Sequence, residues 1–472
     1  MNSPLSYILL AIYTLSIVGV ILVIISENRN PLKSMPWVIV LVLAPVVGLF
    51  FYFFFGQNLS KRRNLSRRMR KQLDAYAAQT AHVEHPEVPA YLRPLEQLLT
   101  DSGHAVPLYG STLSIYADGT AKMEALLEAI AAARHHIHLQ YYIIDNDRIG
   151  NRLREALIAK AREGVEVRVL YDDVGSRAVR KGFFDRMIEE GIEVREFLHV
   201  QFPRFTSKVN YRNHRKIVVI DGRVGFFGGM NIADRYCEGS TLGPWRDTHF
   251  RVEGSLVNGL QLSFLNDWFA TTRQQLAMIE RYYGATPQQR DNVVQLLSSG
   301  PLGKWRTLQQ ATCMAITRAH RRIWIETPYY LPSETLNNAL QTAALAGIDV
   351  RLMLPLHSDS RMVDLAVHSY LDDMLQAGVK VLFYAGGFLH SKMMIIDDAL
   401  AVVGSANLDF RSFEHNFEIN GFVYDRDFVA RLSHLYTKDQ THCHEVAAAE
   451  WFRRSRIRRM AESVLRLFSP LL

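Results

Sequence analysis

Cysteine is scarce in this 472-residue chain: Cys237, Cys313 and Cys443 lie far apart and form no CxxC pair. That argues against a disulfide-stapled fold and a thiolate metal centre, and suits a reducing compartment. The run His442-Cys443-His444 has no partner cluster in the sequence, and adjacent residues seldom chelate one ion together. An excess of acid is missing too. Lys and Arg number 54 against 47 Asp and Glu, so the formal net charge of +7 favours an anionic partner, either a membrane or a nucleic acid. No Lys or Arg precedes the first apolar run and no small-residue cleavage site follows it, which argues against a cleaved signal peptide. What remains, at 48% hydrophobic residues, is enough for two cores of ordinary domain size beside an anchor.

The anchor is read from two apolar stretches, Leu5 to Ser26 and Trp37 to Phe55. At ~1.5 Å per helical residue each is long enough for a ~30 Å hydrocarbon core, and Pro45 and Gly48 are tolerable within a bilayer. The loop between them is short, whereas Lys61-Arg62-Arg63 and Arg67-Arg68-x-Arg70-Lys71 follow the second run as a dense positive cluster. The positive-inside rule then predicts a hairpin with both ends cytoplasmic. Residues 1–57 are therefore expected to form a transmembrane hairpin, and residues 58–106 a basic, Ala-rich linker with turn points at Pro86 and Pro89.

The rest of the chain carries one uncommon pattern twice: His214-x-Lys216-x4-Asp221-x6-Gly228-Gly229-x-Asn231 and His390-x-Lys392-x4-Asp397-x6-Gly404-Ser405-x-Asn407. Two chance matches with identical spacing are very improbable. Each copy reads as a strand hairpin, an apolar run, a turn at Asp221-Gly222 or Asp397-Asp398, and a second apolar run. Residues two apart on a strand share a face, so His214 and Lys216 point together, as do His390 and Lys392. The motif as a unit marks His214, Lys216, Asp221, His390, Lys392 and Asp397 as the candidate catalytic set. Within it, odd spacing turns Asp221 and Asp397 away from the other four and into structural turns. Asn231 and Asn407 offer amide donors, and the small Gly228, Gly229, Gly404 and Ser405 let a ligand approach the backbone.

Two imidazoles, two ammonium groups and two amides suit a phosphodiester and the charge that develops as it is attacked; no metal or cofactor is required. One neutral His can attack phosphorus while the other, protonated, gives its proton to the leaving alkoxide. Each imidazole then needs a carboxylate behind it to fix its tautomer. Asp247 in Trp245-Arg246-Asp247 and Glu418 in Asn416-Phe417-Glu418, at similar offsets downstream of the two motifs, are the expected partners.

The repeat is larger than the motif. Ala133-Arg134-His135-His136-Ile137-His138-Leu139, Tyr141-Tyr142 and Gly164-Val165-Glu166-Val167 are matched by Ala319-His320-Arg321-Arg322-Ile323-Trp324-Ile325, Tyr329-Tyr330 and Gly347-Ile348-Asp349-Val350. Strands alternating with helices predict an α/β sandwich in each half, residues 107–285 and 286–472, joined with pseudo-twofold symmetry so that both motifs meet at one site. Gly191 precedes His214 by 23 residues but Gly378 precedes His390 by only 12, so the first repeat carries an insertion near 201–208, a lipid-touching segment or a plain surface loop. The Arg-rich, apolar tail Trp451 to Phe468 is either an interfacial helix or one packed on the domain.

The double motif resembles the phospholipase D superfamily. With the hairpin, the basic linker and the ending Phe468-Ser469-Pro470-Leu471-Leu472, the whole chain is similar to the bacterial cardiolipin synthases. The resemblance implies a duplicated fold and a reversible transfer in which phosphatidylglycerol is both donor and acceptor, giving cardiolipin and glycerol. It also implies that His214 attacks while His390 is the acid/base, in an enzyme of the bacterial inner membrane acting without a cofactor or nucleic acid. A membrane-anchored hydrolase of the same lipids, a nuclease and a noncatalytic scaffold are the rival readings. Two apolar spans weigh against the nuclease and two intact motifs against the scaffold.

Overall fold

The computed structural model describes residues 4–26, 31–52, 87–177, 179, 181–197, 211–274, 276, 279–284, 288 and 292–470. The insertion near 201–208 and the basic cluster at 61–71 lie outside them. The chain divides into two compact units, Met1–Arg62 with Val200–Asn210, and the remainder.

In the first unit, the helix Pro4–Ser26 runs for 23 residues, without a charged residue in its sequence. The second apolar stretch, expected as one span, is two helices, Pro31–Leu43 and Pro45–Phe51. Proline at 45 lacks an amide hydrogen and disfavours helical backbone at the preceding residue; Ala44 accordingly sits at φ −138°, ψ 67°. Gly48 lets the short helix close on the longer one, since a Cβ there would lie 3.0 Å from the Val40 carbonyl oxygen. Ile24, Leu41 and Tyr52 bury together, and Trp37 meets Tyr52 edge-on at 5.6 Å. Among the described residues, no helix is long and apolar enough to cross a membrane; several side chains of Pro4–Ser26 are outside that set.

Among its described residues the second unit holds two large sheets and two of two strands each. The first, of seven strands, runs in the order Ser111–Tyr116, His249–Gly254, Val224–Gly228, Ile217–Ile220, His136–Tyr141, Glu166–Asp172, Glu193–Phe197. The larger sheet repeats this scheme in the second half, with Leu400–Gly404, Met393–Ile396, Arg322–Glu326, Asp349–Pro355 and Lys380–Tyr384 as successive neighbours. Alternation along the motif strands decides what each face buries. Ile217, Val219, Met393 and Ile395 meet in one shared core, with Leu260 and Leu432 from the helices Leu256–Thr272 and Arg426–Gln440. Val218 and Ile220 face the outer core of the first half, Met394 and Ile396 that of the second.

The linker boundary needs correction. Within residues 58–106, Arg93–Gly103 is a helix, and Val88, Leu92, Leu95 and Leu99 are buried in the core of the second half, beside Leu308, Ala311 and Ile323. The apolar spacing of three and four was hidden in a polar composition. Pro107–Tyr109, assigned by sequence to the first repeat, pairs with Val293–Ser299 and so extends the second sheet. The tail helix Arg456–Arg466 packs through Glu462 and Leu465, with Arg454 bonded to both Asp372 and Glu462. Its other face leaves Ile457, Met460, Val464 and Leu467 exposed, each by about half or more.

Candidate active site

Two short strands exchange between the halves. Arg212–Asn213, just before the first motif, pairs in parallel with Asn416–Phe417 of the second half, and Phe388–Leu389 pairs likewise with Trp245–Arg246 of the first. The exchange continues through His214 N–H to the Phe417 carbonyl at 2.9 Å and His390 N–H to the Arg246 carbonyl at 2.7 Å. One residue further on, each partner strand supplies a carboxylate. Glu418 meets His214 Nδ1 at 3.0 and 3.1 Å, and Asp247 meets His390 Nδ1 at 2.6 Å. Each imidazole is therefore oriented by the opposite half, and the site is incomplete in either half alone. With Nδ1–H donated to the carboxylate, Nε2 is left with its lone pair as the reactive nitrogen.

Both lysines are buried beside their histidines. Lys216 Nζ donates to the His214 carbonyl at 2.7 Å; Lys392 Nζ donates to the His390 carbonyl and approaches His390 Nδ1 at 2.9 Å and Asp247 at 3.8 Å. Burial pulls the Lys216 ammonium down to about 7 and lowers Lys392. His390 is held down at about 4, first by burial and then by Lys392, while Asp247 opposes both. Burial likewise lowers His214 against the pull of Glu418. The carboxylates go the other way: burial would raise Asp247 and Glu418, but Lys392 and His390, and His214 and Lys216, overcome it and keep them ionised. An anion between the two lysines would offset their repulsion and raise the basicity of all four groups.

The motif aspartates stand apart. Asp221, at φ 54°, accepts from the backbone N–H groups of Arg134, His135 and His136 at 2.8 to 2.9 Å; Asp397, at φ 52°, accepts from those of His320, Arg321 and Arg322. They tie each motif turn to the start of the neighbouring strand, and their inclusion in the candidate catalytic set is corrected on that ground. The small residues also act differently from expectation. A Cβ on Gly229 would lie 2.1 Å from an Asp247 oxygen and one on Gly404 2.2 Å from the Ile419 carbonyl, so they admit protein, the Asp247 carboxylate above all. Ser405 Oγ donates to Glu418 at 2.5 Å. Asn231 spends one amide hydrogen on Tyr236 Oη at 2.9 Å and Asn407 one on Asp409 at 3.1 Å, which leaves each a second.

Of the rings around the histidines, sequence reasoning offers Tyr142 and Tyr329 as possible pocket-wall residues and misses Trp245, Phe388 and Tyr236. The Tyr142 ring stands edge-on to His214 at 5.0 Å, while Trp245, Phe388, Tyr236 and Tyr329 surround His390 at 5.4 to 6.4 Å. Trp245 and Phe388 lie within two residues of Asp247 and His390, so strand parity could have found them. Behind the site, Arg215 pairs with Asp267 of its own half, to which Gln140 also donates at 2.6 Å; Arg246, also of the first half, pairs across with Asp439 at 2.7 Å and faces Glu326 at 3.7 Å.

Paired His–carboxylate units exchanged across a pseudo-twofold axis, with a lysine at each, define a two-motif phosphodiester-processing protein of the phospholipase D type. The family model described as "Cardiolipin synthase, PLD-like domain" matches residues 126–241 and 312–439, and one described as "Phospholipase_D-nuclease N-terminal" matches residues 11–57. Cardiolipin synthase 2 of Bacillus cereus is 41% identical over 95% of this chain and 89% of its own length; the major cardiolipin synthase ClsA of Bacillus subtilis is 38% identical over 99% of both. A phosphatidylserine synthase structure from Haemophilus influenzae shares the fold, with a TM-score of 0.61, 16% identity, and 80% of this chain and 97% of that one covered. The chain belongs to the cardiolipin synthase family of the phospholipase D superfamily.

Proposed function

We propose that this protein joins two phosphatidylglycerol molecules into cardiolipin and glycerol, through a phosphohistidine on His214. The observation that carries the reading is the reciprocal placement of Glu418 on His214 and Asp247 on His390. His214 Nε2 attacks phosphorus, and the P–O bond to the glycerol headgroup breaks. His390, protonated once the anionic phosphate is bound, gives its Nε2 proton to the departing oxygen. The second lipid's hydroxyl then enters where glycerol left. His390 takes its proton, the new P–O bond forms and the P–N bond to His214 breaks. Lys216 and Lys392 hold the non-bridging oxygens through both steps, with the free amide hydrogens of Asn231 and Asn407 beside them.

The division of roles is the one that the family resemblance implies. At His214, Lys216 and Lys392 oppose an imidazolium while Glu418 favours one. Aromatic rings crowd His390, where the entering alcohol must compete with water, and they exclude water from that side.

The apolar helices of residues 4–51 are read as a hairpin in the bacterial inner membrane, with the site on the cytoplasmic side, as the charge distribution predicts. The exposed row Ile457, Met460, Val464 and Leu467, flanked by exposed Arg456, Arg459 and Arg466, is read as a face that rests on anionic lipid. The test is the purified full chain in vesicles of labelled phosphatidylglycerol. Cardiolipin and glycerol in equal amounts are expected; phosphatidic acid alone would mean that water is the acceptor and the enzyme a hydrolase.

A further inference from the structure

Among the described rings around His390, Tyr329 is the one whose hydroxyl is tied to an exposed charge. Its Oη donates to Asp359, 3.0 Å from Oδ1 and 2.9 Å from Oδ2, and its ring stands edge-on to His390 at 6.4 Å and 82°. The ring is fixed from behind, where Thr327 Oγ1 donates to the Tyr329 carbonyl at 2.9 Å. Asp359 lies between the strand Asp349–Pro355 and the helix Arg361–Gln376. Its loop is held by Ser358, whose amide donates to Asp364 at 2.8 Å and whose hydroxyl donates to Asp359 at 3.1 Å. Asp359 is exposed, is among the charges that act on Lys392, and pairs with no cation among the described residues. Its oxygens keep acceptor sites free, and the phenol oxygen beside them can accept a hydrogen bond as well as donate one.

The pseudo-equivalent tyrosine has different company. Tyr142, edge-on to His214, feels the carboxylate Asp172 first, but also the cations Arg212 and Arg411, and the side chain of Asp172 is buried and takes up backbone N–H groups. An acceptor-rich pair is thus confined to the side of His390, where the alcohol leaves and enters under the mechanism above. The wall there carries an ion pair: Arg235, 3.2 Å from Asp145, lies 5.5 Å from the Trp245 ring and 5.9 Å from the Tyr236 ring.

We propose that Tyr329 and Asp359 form the polyol subsite, hydrogen-bonding the hydroxyl of the glycerol headgroup that does not react and so selecting a diol over a simple alcohol. The inference rests on the phosphatidyl-transfer reading and on His390 as the acid/base. A hydroxyl held by this pair aims its neighbour at His390 Nε2, which takes the proton as the P–O bond forms. A diol then gains over an alcohol of the same length that lacks the second hydroxyl, because only the diol satisfies the pair.

The test is acceptor competition. The full chain in phosphatidylglycerol vesicles is given labelled glycerol, 1-propanol or ethanolamine, and phosphatidyl incorporation into each is measured. Wild type is expected to prefer glycerol, and Tyr329→Phe and Asp359→Asn each to lower the glycerol-to-propanol ratio by about tenfold, the effect of one net hydrogen bond. A merely structural defect lowers both incorporations together, so an unchanged ratio in both variants overturns the proposal. A fall confined to ethanolamine also overturns it, since the pair would then read an ammonium group. A wild type that makes only phosphatidic acid and incorporates no alcohol removes the transfer reading itself, and this subsite with it.

Discussion

Arg212 stands two residues before His214, with Arg411 close enough to repel it; Phe388 occupies the matching place before His390, with Trp245 across from it. The motif residues themselves are superposable in type and role: an imidazole, a buried lysine and a carboxylate from the other half. A duplicated site needs unlike chemistry from its two copies, one neutral attacker and one proton carrier. Here the neighbours differ: one ring, Tyr142, with Arg212 and Asp172 on one side, a cluster of four rings that excludes water on the other. The next layer differs too. Arg215 faces one carboxylate, Asp267, beside neutral Gln140, whereas Arg246 faces Asp439 and Glu326. Burial pushes Glu326 up to about 8, so it keeps its proton at neutral pH.

The largest expected contrast lies in the two orienting carboxylates. Glu418→Gln and Asp247→Asn should each cut kcat by about 10²- to 10⁴-fold, as loss of the tautomer-fixing partner does in other triads. Rapid-quench labelling should separate them: both variants form phosphoenzyme slowly, and Asp247→Asn also loses it slowly, so label persists longer there than in Glu418→Gln. Equal persistence would erase the division of roles. Next comes the helix Arg93–Gly103. Leu99→Ala should lower stability by about 2–5 kcal/mol in denaturant unfolding, because that side chain belongs to the second half's core.

A smaller effect separates the motif aspartates from the site. Asp221→Ala or Asp397→Ala leaves exposed and half-buried backbone N–H groups without their acceptor and should cost about 1 kcal/mol of stability. The kcat of the folded fraction should change far less than in Glu418→Gln. The smallest effect compares the rear layers. The Glu326 proton is bound in the folded state up to about pH 8 but leaves the unfolded chain near its ordinary value of 4.5, so its contribution to stability falls as pH rises between those values. Glu326→Gln, the residue type found at position 140, should raise the melting temperature at pH 8 and leave it unchanged near pH 4.

Much of the centre was legible in the amino-acid order, because period-two alternation around His214 and His390 and the offsets of Asp247 and Glu418 are local facts. Which carboxylate serves which histidine was not. His214 and Glu418 lie 204 positions apart, and their meeting depends on a two-residue strand pairing that leaves no periodic trace. Gly229 and Gly404 looked like openings for a ligand, and only the positions of Asp247 and Ile419 show what they admit. The helix Arg93–Gly103 was readable from Leu92, Leu95 and Leu99, but its polar context resembled a linker. The tail was ambiguous for a good reason: Glu462 and Leu465 pack while Ile457 and Leu467 do not, so both readings describe one face each.

The central claim is that identical motifs are made unequal by their neighbours, with His214 taking the phosphatidyl group and His390 moving the proton. The most direct measurement is peptide mapping of label trapped from phosphatidylglycerol carrying ³²P on the His390→Ala and His214→Ala variants. The account predicts phosphohistidine at position 214 in the first and no label in the second; label on His390 in the His214→Ala variant would contradict it.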